Sequence, residues 1–265
     1  MNESPSTQNK KISGGIAGEI FGRIWALWAA IVFISTMLIF MIPFFLFSYF
    51  RPDPQKTERF ISYSRVWMKI FLTLVGCPLK VKGREHFKKG ETYIVLCNHN
   101  ALIDVPVSSP GIPGGNKTIA KIEMARTPVF GLLYKTGSVL VDRKSEVSRR
   151  ESFAKMKDVL DMGLHMCIYP EGTRNTTDQP LKSFHDGAFR LALLTKKNII
   201  PSLIFNSRKA MPIGKSFFLW PYPLELHFLE PVAVEETDTV ESLKLKIFSM
   251  MKDYYVTNSR QTVPV

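Results

Sequence analysis

From Ile24 to Phe50 the chain runs 27 residues without a charge, IWALWAAIVFISTMLIFMIPFFLFSYF. Read as a helix, such a run is about 40 Å long, more than the roughly 30 Å hydrocarbon core of a bilayer. It exceeds the apolar stretch of a secretory signal. The residues after it, Arg51, Pro52 and Asp53, offer no small-residue cleavage pattern, so the segment is expected to stay on the protein. Pro43 predicts a kink or turn within it. A second apolar stretch (Ile61, Val66, Trp67, Ile70, Phe71, Leu74, Val75) is broken by Arg65 and Lys69 and reads as amphipathic and interfacial. Arg51, Lys56, Arg59, Arg65 and Lys69 follow the long run. By the positive-inside tendency they place the remainder of the chain on the cytoplasmic side of a membrane. One spanning helix and a hairpin dipping into one leaflet fit this pattern equally.

Beyond Pro78 the period changes. Short β-rich runs alternate with helical ones: Tyr93–Cys97 and then a helix from about Ala101; Ser138–Val141 and a helix; Met166–Tyr169 and a helix over Phe184–Leu194; then Ile199–Phe205. Ser148 with Glu151 makes a capping-box pattern. Phe153, Met156, Val159 and Leu160 mark one helical face, and Gly163 ends it. A last helix spans about Val240–Tyr255. Strand–helix alternation of this kind predicts an α/β fold, a largely parallel sheet flanked by helices, preceded by the membrane-embedded helical segment. The division is a polar tail over 1–20, the membrane segment over 21–77 and one catalytic domain over 78–258.

Composition narrows the partners. Hydrophobic residues are 45% and charged residues 22%, as in a core-forming protein, and the net charge of +12 suits an anionic partner such as a phosphate-bearing substrate or membrane surface. Cys77, Cys97 and Cys167 form no CxxC pair, and His86, His99, His165, His185 and His227 show no ligand spacing. Reduced cysteines and no bound metal are therefore expected. The basic residues are dispersed, which speaks against nucleic acid.

Two stretches break apolar strand-to-helix junctions with polar residues, where open α/β sheets bind ligands. In YIVLCNHNALID, one helical turn brings Asp104 back toward His99. A carboxylate on one ring nitrogen fixes the tautomer and leaves the other as a base able to take a proton from an alcohol. On these grounds alone a cap and a satisfied polar residue explain the pair as well. In CIYPEGTRN, Gly172 permits an unusual turn whose N–H groups suit an anion, and Arg174 suits a phosphate; a solvated turn is the alternative.

Taken together, an HxxxxD segment followed some seventy residues later by PEGTR resembles the glycerolipid acyltransferase family, which includes 1-acylglycerol-3-phosphate acyltransferase. Ala120-Lys121-Ile122-Glu123 with Pro128 and Gly131, Gly137 to Arg143, and Ile199-Ile200-Pro201 resemble further blocks in the family's order, over roughly 75–230. The resemblance implies that His99 is the general base, oriented by Asp104. It implies direct attack of a lipid hydroxyl, the sn-2 position of lysophosphatidic acid, on the thioester of acyl-CoA or acyl-carrier protein, yielding phosphatidic acid for phospholipid synthesis. Neither metal nor cofactor is then required. Glu171, Gly172, Thr173 and Arg174 would bind the acceptor's phosphate, with Lys121 and Arg143 adding positive charge, and Pro201 would shape the acyl-donor side. The chain departs from the family at Phe184-His185-Asp186-Gly187, where a basic residue often precedes the glycine; an acid there points to a weaker phosphate site or a different acceptor.

The rivals are weaker. No GxSxG elbow exists for a serine hydrolase. In Gly111-Ile112-Pro113-Gly114-Gly115-Asn116-Lys117-Thr118, Asn116 separates the last glycine from Lys117, so the Walker pattern fails and the stretch reads as a flexible loop that could flank the site. The same chemistry on another lyso-lipid, or an idle lipid-binding protein of the same fold, remain as alternatives.

Overall fold

The computed structural model describes residues 15–128 and 130–259. Helix α1 (Gly15–Phe47) is continuous through Pro43, which lies near its end and removes a single helical bond there. The predicted tail over 1–20 is corrected in part: residues 15–20 already belong to α1, and the rest of that tail falls outside the described residues. The charges at Glu19 and Arg23 shorten the uncharged run but not the helix, because Glu19 is paired with Lys215 and Arg23.

Helix α2 (Gln55–Leu74) turns back along α1. The N-terminal half of α1 meets the C-terminal end of α2 through Trp25 Nε1, which donates to the Val75 carbonyl at 2.9 Å; Trp67 Nε1 donates to Thr36 Oγ1 at 2.9 Å. Farther along, the Phe44 and Phe60 rings lie 5.3 Å apart. The outer face of α1 is exposed and apolar (Ile24, Ile31, Leu38, Ile42, Leu46). By length and composition, α1 is the one helix among the described residues that could cross a membrane. Arg65, expected at an interface, points instead at the domain: its guanidinium donates to the carbonyls of Pro110 (3.1 Å) and Ile112 (3.0 Å). Asp53 in the hairpin loop pairs with Lys117 at 2.8 Å, so the hairpin is strapped to the domain at two points.

The domain is a seven-stranded sheet in the order β1-β7-β6-β2-β5-β3-β4: β1 (Leu79–Lys82), β2 (Ile94–Cys97), β3 (Asn116–Lys121), β4 (Ser138–Val141), β5 (His165–Ile168), β6 (Ile199–Phe205) and β7 (Leu224–Phe228). Every pairing is parallel except β6 with β7. The helices are α3 (Asp104–Gly111), α4 (Phe130–Gly137), α5 (Glu146–Asp161), α6 (Gly187–Thr195), α7 (Ser207–Ala210) and α8 (Val240–Ser259). Strand β2 shows why its sequence is unbroken Ile-Val-Leu-Cys. Ile94 and Leu96 pack toward α5, α6 and α8, whereas Val95 and Cys97 pack toward α3 and the hairpin; a strand covered on both faces has no solvent side.

Two local expectations are corrected. Helix α5 starts three residues early, because Ser145 rather than Ser148 is its cap, accepting from the Ser148 N–H at 3.1 Å. Asn116 to Thr118 are not part of a flexible loop but the buried start of β3. Gly114 in the left-handed region (φ +79°) makes the turn, and Gly115 has no room for a Cβ beside Leu164 and Glu58. That turn precedes β3, at the edge of the sheet opposite the His99–Asp104 and Glu171–Arg174 stretches, so it does not flank them.

His165, at the start of β5, is buried and neutral. Its Nδ1 accepts from the Tyr93 N–H at 3.0 Å, and burial pulls its pKa down to about 4, partly offset by a hydrogen bond to the Pro113 backbone. The unfolded chain, with a histidine pKa near 6.5, binds more protons between those values, so folding weakens as pH falls through that window. The stability at stake is about 3 kcal/mol. Urea midpoints should fall between pH 7 and pH 4.5, and His165→Leu should flatten that slope; an equally steep slope in the variant would assign it to other groups.

Candidate active site

The chemistry-bearing residues gather at the C-terminal edge of the parallel strands. Strand β2 ends at Cys97 and delivers Asn98 and His99; β5 ends at Ile168 and delivers Glu171 to Arg174; β3 ends in Lys121, beside Val141 of β4, with Arg143 two residues on. Asn98 fixes the height of the first loop. Its Nδ2 donates to the Ile204 carbonyl (3.1 Å) and its Oδ1 accepts from the Ile204 N–H (2.7 Å), stitching the end of β2 to β6.

The turn from His99 to Asp104 is organised around one oxygen. Asp104 Oδ2 accepts from the Asn100 N–H (2.5 Å) and the Ala101 N–H (2.7 Å), and it lies 3.0 Å from His99 Nδ1. Asp104 is fully buried, while the His99 side chain keeps 18% of its surface exposed. An ionised carboxylate only accepts, so Nδ1 carries the proton and Nε2 is left with a free lone pair. The imidazole lies against the Tyr169 ring, centroids 4.5 Å apart, and the Tyr169 hydroxyl is bound to Ser108 Oγ of α3 at 2.6 Å. The expected His–Asp pair is therefore assembled and aimed outward, which a mere helix cap would not require.

Glu171 calls for a correction of role. It is buried, its Oε1 accepting from the His99 N–H (2.7 Å) and its Oε2 from the Lys182 N–H (2.8 Å). Burial pushes its carboxyl above the ordinary range, and those two donors offset only part of the rise. It is a clamp between loops and does not face an anion. Gly172 sits in the left-handed region (φ +71°), with the His185 ring where a Cβ would lie, and its carbonyl accepts from Arg143. Lys182 Nζ donates to Thr173 Oγ1 at 2.8 Å. Lys121 and Arg174 are exposed and without a partner among the described residues. Pro201 lies inside β6 opposite Leu96, buried in the sheet, and lines no part of the cavity described next. Asp186, the departure at the F-x-x-G block, is engaged by Lys244 (3.0 Å) and Arg190 (3.4 Å), which hold its carboxyl below the usual range.

Beside the His99 turn lies an apolar cavity of about 570 Å³ between the hairpin and the domain, a size suited to a small lipid-like ligand. Phe33, Trp67 and Phe71 wall it from the hairpin, Phe130 from α4, and Leu102 and Ile103 from within the His99–Asp104 turn itself. Among the described residues there is no cluster of side chains suited to a metal.

Known proteins share much of this sequence and fold. The acyltransferase family model matches residues 78–204. Curated proteins named 1-acyl-sn-glycerol-3-phosphate acyltransferase are similar: that of Cocos nucifera is 30% identical over 71% of this chain and 60% of its own, and that of Helicobacter pylori 32% identical over 55% and 61%. The human alpha form is 30% identical over 61% of this chain and 57% of its own. The chain thus spans about 60% of the length of the curated relatives it matches. The solved structure of the 1-acyl-sn-glycerophosphate acyltransferase PlsC from Thermotoga maritima superposes with a TM-score of 0.75 at 22% identity, covering 90% of this chain and 96% of that one, which establishes a common fold. Over residues 78–204 the chain is thus similar to the acyltransferase family, and it shares the fold of PlsC.

Proposed function

We propose that the protein transfers a fatty acyl group from acyl-CoA or acyl-carrier protein to the sn-2 hydroxyl of 1-acylglycerol-3-phosphate, forming phosphatidic acid. The observation that carries this is His99, tautomer-locked by Asp104 with Nε2 left as acceptor, at the same C-terminal edge of the sheet as the cations Lys121, Arg143 and Arg174, with Leu102 and Ile103 of its own turn lining the apolar cavity. The names of the relatives support the same acceptor. In the reaction, Nε2 takes the hydroxyl proton as the oxygen attacks the thioester carbonyl carbon. The tetrahedral intermediate collapses, the carbon–sulfur bond breaks, and the departing thiolate takes the proton back from the imidazolium. Ester and thiol result, with no change in oxidation state.

In this reading the hairpin rests in one leaflet. Helix α2 runs beside α1, and the domain holds the hairpin through Arg65 and Asp53, so α1 presents its outer face to lipid without being isolated in the bilayer. The basic residues around Arg51 and Arg59 favour the cytoplasmic side.

Membranes carrying the protein are expected to convert labelled acyl-CoA and lysophosphatidic acid to phosphatidic acid, and to prefer that acceptor in a panel of lyso-lipids. Absence of transfer to any of them would overturn the reading. Arg174→Ala should raise the acceptor KM roughly 10- to 100-fold, the loss of a charge-assisted bond, with kcat little changed. An unchanged KM would remove Arg174 from the phosphate site.

A further inference from the structure

The geometry points to Arg208 as a positioning residue that locks the catalytic turn to the phosphate-side loop, so that base alignment and acceptor capture depend on one guanidinium. The role rests on the acyl-transfer reading above, while the lock itself is a matter of hydrogen bonds. Arg208 lies in α7, directly after β6, where Asn206 turns the chain in the left-handed region (φ +67°) and ties itself to the Pro223 carbonyl at 3.0 Å. From there the planar fork reaches across the top of the sheet. Nε donates to Asn100 Oδ1 at 3.1 Å, Nη2 to the Asn175 carbonyl at 2.9 Å and Nη1 to the Thr177 carbonyl at 3.0 Å.

These bonds close a circuit. Asn100 stands between His99 and Asp104 in sequence and gives its N–H to Asp104 Oδ2. Asn175 directly follows Arg174, is fully buried, and gives its N–H back to the His99 carbonyl at 2.6 Å. Asn175 Oδ1 in turn accepts from Thr177 N (2.9 Å) and Oγ1 (2.7 Å), which holds the second loop in the shape the guanidinium reads. Arg208 is half-buried, and the hydrogen bonds of its guanidinium go to these two loops. Its three acceptors lie around one rigid fork, a pattern that the single ammonium of lysine does not reproduce. A shift of about 1 Å at the base would be enough to cost on the order of 10²-fold in rate.

The test compares Arg208→Ala, Arg208→Lys, Asn100→Ala and the double Asn100→Ala/Arg208→Ala variant in the full-length, membrane-bound protein, by acyl-transfer kinetics and by hydrogen–deuterium exchange. Arg208→Ala should lower kcat on the order of 10²-fold. Exchange should quicken in segments 98–104 and 172–178 and stay unchanged in the strands. Arg208→Lys should recover little of the rate. The double variant should be within about twofold of Arg208→Ala, because contacts in one network are not additive. Wild-type kcat in a folded Arg208→Ala protein would overturn the proposal. So would unaltered exchange in both segments, or independent, multiplying losses in the double variant. A wild-type protein that acylates no lyso-lipid would defeat the functional reading alone, since the exchange experiment reads the lock without turnover.

Discussion

Replacing His99 by alanine is expected to lower kcat for acyl transfer roughly 10²- to 10⁴-fold, the usual contribution of a positioned general base. The basis is local. Asp104 Oδ2 holds Nδ1 and leaves Nε2 as the acceptor, and the ring is partly open to solvent, with Leu102 and Ile103 of the same turn lining the apolar cavity. Because the imidazole is partly exposed and Asp104 keeps the N–H groups of Asn100 and Ala101 without it, the variant should melt near the wild-type temperature. Asp104→Asn should also impair turnover, since it removes the charge that stabilises the imidazolium, and it should cost stability as well through the N–H groups of Asn100 and Ala101. Steady-state kinetics with melting curves separate the two. A folded His99→Ala protein with wild-type turnover would exclude His99 as the base.

That pair was legible in the sequence because its geometry is local: five residues and one helical turn bring a carboxylate to a ring nitrogen. Strands β2, β4, β5 and β6 were legible for a similar reason, since they are short apolar runs bounded by polar breaks. Strands β1, β3 and β7 were not. Leu79–Lys82 and Leu224–Phe228 alternate with charged or polar residues, and β3 starts with Asn116, Lys117 and Thr118, polar residues whose burial rests on side-chain partners outside the strand. Lys117, for example, is buried because Asp53 in the hairpin loop meets it, a contact spanning 64 positions. The same reason hid Arg208 and the partner of Tyr169. Their meaning lies in hydrogen bonds to distant loops, and a single arginine after a strand has no spacing that would reveal it.

The residue whose role changed most, Glu171, gives the second large effect. A carboxylate that touched the acceptor phosphate would repel it, and the structure removes that difficulty by turning Glu171 inward, onto the N–H groups of His99 and Lys182. Glu171→Ala leaves both donors unmet in a buried place. At about 1–3 kcal/mol for each, the expected loss is roughly 2–6 kcal/mol, enough to lower the melting temperature by several degrees or more. The free His99 N–H also releases the catalytic turn, so kcat should fall together with stability, while the acceptor KM of the folded fraction changes little. Glu171→Gln tests the charge separately. Its oxygen can serve one N–H, but its amide nitrogen then faces the other as donor against donor, so the variant should fall between wild type and alanine in both measures. A direct phosphate contact would give the opposite pattern, a raised KM at unchanged melting temperature, and that result would return Glu171 to the acceptor site.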